Sequence, residues 1–81
     1  MRIHVLAFAR LRELIGAPAR ELEVPEGSTA ADLWENLARD HAAIAAFRDS
    51  TRIARNGRIV GGLEPLGDGD EIALLPPVGG G

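Results

Sequence analysis

The segment Glu71-Ile72-Ala73-Leu74-Leu75 limits what this chain can fold into more than any other stretch. It is short and apolar, preceded by the turn residues Gly67-Asp68-Gly69-Asp70 and followed by Pro76-Pro77. That pattern predicts a strand buried at the centre of a sheet. The two prolines have no backbone N–H to donate, so pairing should end with them. A central strand needs neighbours, and the rest of the chain supplies candidates. Arg2 to Phe8 alternates and then turns wholly apolar, which predicts a first strand entering the core. Arg20 to Val24 alternates with period two, turning Leu22 and Val24 inward and leaving Glu21 and Glu23 in water until Pro25-Glu26-Gly27 turns the chain. Thr51 to Arg55, Asn56-Gly57 and Arg58 to Val60 form a hairpin signature, because Asn-Gly accommodates the positive φ angles of a two-residue type I′ turn.

Two segments have helical spacing. Leu11, Leu14 and Ile15 recur at i, i+3 and i+4, with Gly16 as the stop, so a short amphipathic helix should follow the first strand. The main helix should start at Ser28-Thr29, where Asp32 lies three residues after Thr29 in capping-box spacing. Its apolar stripe of Leu33, Leu37 and Ile44, flanked by Trp34, Ala38 and His41, predicts helix to Phe47 with a break near Asp40-His41. Leu63 to Leu66 reads as a connector with one turn of 3₁₀ helix. The expected class is α+β, one domain over residues 1–75 with the main helix packed across a sheet, followed by a C-terminal tail over residues 76–81.

Eighty-one residues suffice for one small core, and a hydrophobic fraction of 46% suits a globular chain. There is no cysteine, which excludes disulfides, zinc thiolates and a thiol nucleophile. A net charge of −3 with scattered arginines gives no basic stripe for nucleic acid. All nine basic residues are arginine, a choice that coding bias or thermophily would produce. Without a signal-peptide core or a span of roughly 20 apolar residues, a cytoplasmic location and no membrane partner are expected.

No catalytic set stands out. Asp68-Gly69-Asp70-Glu71 superficially resembles a calcium loop but lacks the remaining ligands and reads as a solvated turn. His4 should face away from Ile3 and Val5, and neither it nor His41 has a second ligand at metal spacing. Gly57, Gly61 and Gly62 precede no helix that could hold a phosphate. Trp34 and Phe47 read as core. The tail Pro76-Pro77-Val78-Gly79-Gly80-Gly81 is what remains. On its residues alone it is either a frayed end or a thin spacer that could carry the Gly81 carboxylate roughly 20 Å from the domain, into a narrow tunnel of a partner.

Taken in order, several motifs resemble the MoaD/ThiS family of sulfur carriers across essentially the whole chain. They are Phe8-Ala9-Arg10-Leu11-Arg12-Glu13-Leu14-Ile15-Gly16, Gly27-Ser28-Thr29 with Asp32-Leu33, Arg55-Asn56-Gly57, and Gly67 to Val78 ending in Gly-Gly. The helix after the first strand and the Leu-Leu-Pro-Pro-Val approach to the tail resemble the MoaD branch, whose members are small subunits of molybdopterin synthase. Gly79 departs from the pattern, standing where alanine or serine is common.

The resemblance implies a β-grasp, ubiquitin-like fold with a mixed sheet of about five strands. It also implies that a ubiquitin-activating-type adenylyltransferase uses ATP and Mg²⁺ to adenylate Gly81, that a sulfur donor protein converts it to a thiocarboxylate, and that Pro76, Pro77, Val78, Gly79 and Gly80 thread into partner active sites. The chain would bind no cofactor or metal of its own and would carry no catalytic residue, the active site belonging to the large subunit of a heterotetrameric synthase. A protein modifier, or a carrier for thiamin or tRNA thiolation, would share the tail and its chemistry.

Overall fold

The computed structural model describes residues 1–77. Its elements are β1 (Arg2–Ala7), α1 (Ala9–Ile15), β2 (Ala19–Glu23), α2 (Ala30–Asp40), a 3₁₀ segment (Ala42–Phe47), β3 (Arg52–Arg55), β4 (Arg58–Val60) and β5 (Glu71–Leu75). The strands form one sheet in the order β2-β1-β5-β3-β4, so the last strand in sequence is the central one. β1 and β5 pair in parallel, and every other pair is antiparallel. Two hairpin-like pairs joined through a parallel central strand, with a helix across one face, make this the β-grasp, ubiquitin-like arrangement. The core lies between that face and the helices. Ile3, Val5, Ile53, Ile72 and Leu74 from the sheet meet Leu11, Leu33, Leu37 and Ile44.

Local chemistry explains the element ends. Gly16, at φ 89, closes α1 in the left-handed region and its N–H donates to the Arg12 carbonyl, as a glycine stop should. At the start of α2 both halves of the capping box are present: the Asp32 N–H donates to Thr29 Oγ1 at 3.3 Å, and the Thr29 N–H donates to Asp32 Oδ2 at 2.9 Å. Thr29→Ala is therefore expected to lower the unfolding free energy by about 1 kcal/mol, seen as a lower urea midpoint at unchanged slope.

Three expectations need correction. The first strand ends at Ala7, not Phe8: Ala9 turns the chain at φ 50, leaving Phe8 extended and 44% exposed. The break expected near Asp40-His41 is present, but beyond it the chain to Phe47 is not α-helix. His41 leaves helical geometry at φ −132 and ψ 73, and the stripe continues as 3₁₀ helix. Three residues per turn keep Ile44 and Phe47 on one side, so Ile44 remains fully buried. The connector Leu63 to Leu66 is not a 3₁₀ turn. After a turn closed by Glu64 N–H to the Gly61 carbonyl, it runs extended, with Pro65 bridging Thr29. In that path the Gly62 and Glu64 carbonyls accept the N–H groups of Ala31 and Ala30, which α2 leaves unmet at its first turn.

The Asn-Gly turn does more than reverse the chain. Asn56 (φ 49) and Gly57 (φ 86) have the left-handed pair of a type I′ turn. The Asn56 backbone N–H donates to the Glu71 carbonyl at 2.8 Å and its side-chain oxygen accepts the Glu71 N–H at 2.9 Å, clamping the turn to the start of β5. Beside it, buried Asp70 accepts from Arg55 Nε at 2.6 Å, Asn56 Nδ2 at 3.0 Å and the Gly67 N–H at 2.7 Å, while Arg55 also reaches Glu64 at 3.0 Å. Burial pushes the Asp70 carboxyl up, but the Gly67 N–H, the Asn56 amide and the Arg55 guanidinium outweigh it and hold the group below its ordinary range. The hydrogen bonds to Asp70 and Glu64 raise Arg55 in turn.

Candidate functional site

The tail leaves from the middle of the sheet. Leu75 is the last residue of β5 to pair, opposite Arg52 of β3, and Pro76-Pro77 follow with no N–H to extend the ladder. Ser50, Arg52, Leu75, Pro76 and Pro77 line an open groove of about 580 Å³ at this point. Pro76 and Pro77 thus follow the central strand directly and border this groove. Val78, Gly79, Gly80 and Gly81, including the one predicted reactive group, lie outside the described residues.

The sheet face turned away from the helices is divided along the strands. Side chains directly opposite one another in a ladder share a face. Register therefore puts Ala19, Leu6, Ala73, Ala54 and Ile59 in one row across all five strands, on the open side. Every member is apolar, and Ile59 is 52% exposed. The next level toward the tail holds Leu75 and Arg52, with exposed Phe8 just beyond the end of β1. One level the other way, the row becomes Glu21, His4 and Glu71, and then Glu23 and Arg2. His4 Nδ1 lies 3.3 Å from Glu21 Oε1, and Arg2 Nε lies 3.4 Å from Glu23 Oε1. The open face thus has an apolar half next to the tail and a charged half away from it.

This patch escaped the sequence reading, because Ala73, Leu75 and Ala54 look like core residues by composition. The available signal was parity: Leu6 is out of phase with Ile3 and Val5, and its neighbours appear only once register is known. His4 faces outward as expected, and His41 Nε2 meets Arg20 Nη1 at 2.8 Å. Among the described residues, no group of His, Asp and Glu is arranged to hold a metal ion. Asp68 accepts the Arg2 N–H at 2.7 Å while Asp70 is consumed by its buried network, so this turn is structural. Among the described residues, no helix is long and apolar enough to cross a membrane.

The family model described as "ThiS family" matches residues 5–81. This chain belongs to the ThiS family. A curated relative in that family, the molybdopterin synthase sulfur carrier subunit of Drosophila erecta, is 36% identical over 84 positions that cover all of this chain and 92% of the relative. Among solved structures, the small archaeal modifier protein 1 of Methanosarcina acetivorans superposes with a TM-score of 0.83 at 32% identity, covering 99% of this chain and 96% of that one. A chain in a complex of subunits 1 and 2 of the molybdopterin-converting factor of Helicobacter pylori matches with a TM-score of 0.70 at 27% identity, covering the whole of both chains. A ubiquitin of Caldiarchaeum subterraneum, at 24% identity and a TM-score of 0.66 over 100% of this chain and 98% of that one, shares the fold alone.

Proposed function

We propose that this ThiS family member is the sulfur carrier subunit of a molybdopterin synthase, with Gly81 as the atom-carrying group. The observation that carries the reading is the full-length match, tail included, to a relative named for that role. The geometry supports it: the tail starts from the central strand at the apolar half of the open face, so a partner docked on Leu6, Ala73, Leu75 and Ile59 would receive the tail at the edge of its contact. The matched complex of subunits 1 and 2 supports a large subunit as that partner.

A carboxylate is a poor electrophile and needs activation. An adenylyltransferase would join Gly81 to AMP, releasing pyrophosphate from ATP with the help of Mg²⁺. A donor persulfide then attacks the acyl carbon and AMP leaves. A thiol reductant cleaves the resulting S–S bond, leaving a thiocarboxylate and a disulfide. In the large subunit the thiocarboxylate sulfur would displace an oxygen leaving group from a carbon of the pterin precursor, and water would then cleave the acyl C–S bond, leaving the sulfur on the pterin and the carboxylate on Gly81. Glycine suits each step because it places no side chain beside the attacked carbon.

The test is the intact mass after incubation with ATP, Mg²⁺, the adenylyltransferase and a sulfur donor. Replacement of one terminal oxygen by sulfur is expected, and its loss when Gly80 and Gly81 are deleted. An unchanged mass beside active partners would refute the carrier reading. The likeness to an archaeal modifier protein supports a second reading, transfer of Gly81 to lysines of other proteins. That reading predicts Gly81-dependent shifted bands on a denaturing gel.

A further inference from the structure

We infer that this chain is an acyl donor that cannot serve as an acyl acceptor: when Gly81 is activated, neither its own surface nor a second copy offers a group that keeps the acyl unit. This rests on the reading of Gly81 as an activated terminus and adds what happens to the activated form. In the side reaction an amine attacks the acyl carbon, an amide C–N bond forms, the leaving group departs with its electron pair, and the amine proton goes to solvent. Such a reaction needs an unprotonated amine, or a thiol or activated hydroxyl in its place.

The chain withholds all of these. None of its 81 residues is lysine or cysteine, and its nine positive side chains are guanidiniums. Guanidinium stays protonated in proteins, so it supplies charge for docking without a free nitrogen lone pair. The remaining amine, on Met1, donates to the Val24 carbonyl at 2.7 Å and lies 3.7 Å from Glu23 Oε2. To attack, it would have to lose its proton and leave both partners. It also lies at the opposite end of the sheet from Pro76-Pro77. Because β1 runs parallel to β5, Met1 sits at the end of the ladder where β5 begins, and the tail leaves from the other end.

The four hydroxyl side chains, Ser28, Thr29, Ser50 and Thr51, are engaged locally. Ser28, Ser50 and Thr51 donate to the carbonyls of Pro25 and Phe47, and Thr29 accepts the Asp32 N–H. Ser50 borders the groove beside Pro76-Pro77, yet among the described residues no imidazole or carboxylate is hydrogen-bonded to it to act as a base. The two imidazoles could only form acyl-imidazoles, which water returns to the carboxylate. The consequence is that the activated terminus is consumed by water or by the nucleophile a partner presents, and the carrier does not link to itself.

The test makes the full chain with Gly81 as a thioester of a small thiol and incubates it at pH 8, with intact mass and a denaturing gel as readouts and hydroxylamine added at intervals to count surviving acyl groups. The parent should give only the free acid and the hydroxamate. Arg52→Lys, at the tail groove, and Arg39→Lys, on α2, each place one amine on an exposed position and should give at least about tenfold more self-ligated or cyclised product. Ligation of the parent at Met1 or a hydroxyl would overturn the inference, as would equal product, high or low, in parent and both variants. Because the thioester is made chemically, this outcome is separate from the sulfur-loading experiment: the carrier reading can stand while this inference falls, and the reverse.

Discussion

Ala73→Arg is expected to leave the domain folded and to weaken binding to the proposed large-subunit partner by at least about a hundredfold, or roughly 3 kcal/mol. Ala73 is the middle of the apolar row, flanked in register by Leu6 and Ala54 on the face without helices. In the free protein the arginine stem can lie along that row with its guanidinium in water, near Glu71 on the same face. In the complex the same group would be enclosed against an apolar surface with no assigned partner, which is where an uncompensated charge is most costly. Calorimetric titration measures the binding, and a melting curve checks the fold. A matching charge reversal in the distal half, Glu23→Arg, should change affinity by no more than a few-fold. If Ala73→Arg binds normally, the partner does not use this face and the docking assignment is wrong.

Asp70→Ala should be the most destabilising exchange of a polar side chain in the domain, at about 2–3 kcal/mol, or some 10–20 °C in Tm. The carboxylate joins three segments: Arg55 and Asn56 of the hairpin, and Gly67 of the loop before the central strand. Its removal leaves those donors without an acceptor where water has little access, and it loosens the clamp that sets β5 in register. The acid dependence follows from the direction of its titration. Because the folded group titrates below its ordinary range, the unfolded chain takes up the proton first as pH falls. The stabilisation is complete above the unfolded value and is lost as pH falls through the folded one, below about pH 4. Denaturant melts across pH 2 to 6 should show this acid loss in the parent and a shallower one in Asp70→Asn. Parallel curves for the two proteins would show that Asp70 is not the group responsible.

Local rules made much of the fold legible. Gly16, the Thr29–Asp32 pair and Asn56-Gly57 each fix a backbone conformation through their own chemistry, and each ends or begins an element where expected. Leu74 and Ile72 announced a central strand, because a short apolar run between a turn and two prolines has few other places to go. What failed depended on distant partners. Nothing in Leu63 to Leu66 shows that its carbonyls are needed by α2, so an unassigned connector looked like a turn. The break at His41 was legible, but the 3₁₀ winding after it was not, because both windings keep Ile44 inside. The candidate site divided in the same way. The tail was conspicuous from its own residues, with Pro76 and Pro77 placed at the mouth of the sheet. The apolar row beside it required the register of five strands, and that register is a property of the assembled sheet.

The direction of β5 also has a mechanical meaning. A partner that grips the tail while holding the domain by its open face puts tension along the axis of the central strand. β1 and β3 flank that strand through His4 to Ala7 on one side and Arg52 to Arg55 on the other. To yield, β5 would have to slide between both neighbours, which strains the bonds of two ladders together instead of opening them one after another. A pull on Pro76-Pro77 along that axis therefore loads both ladders at once, and the body resists it as a unit.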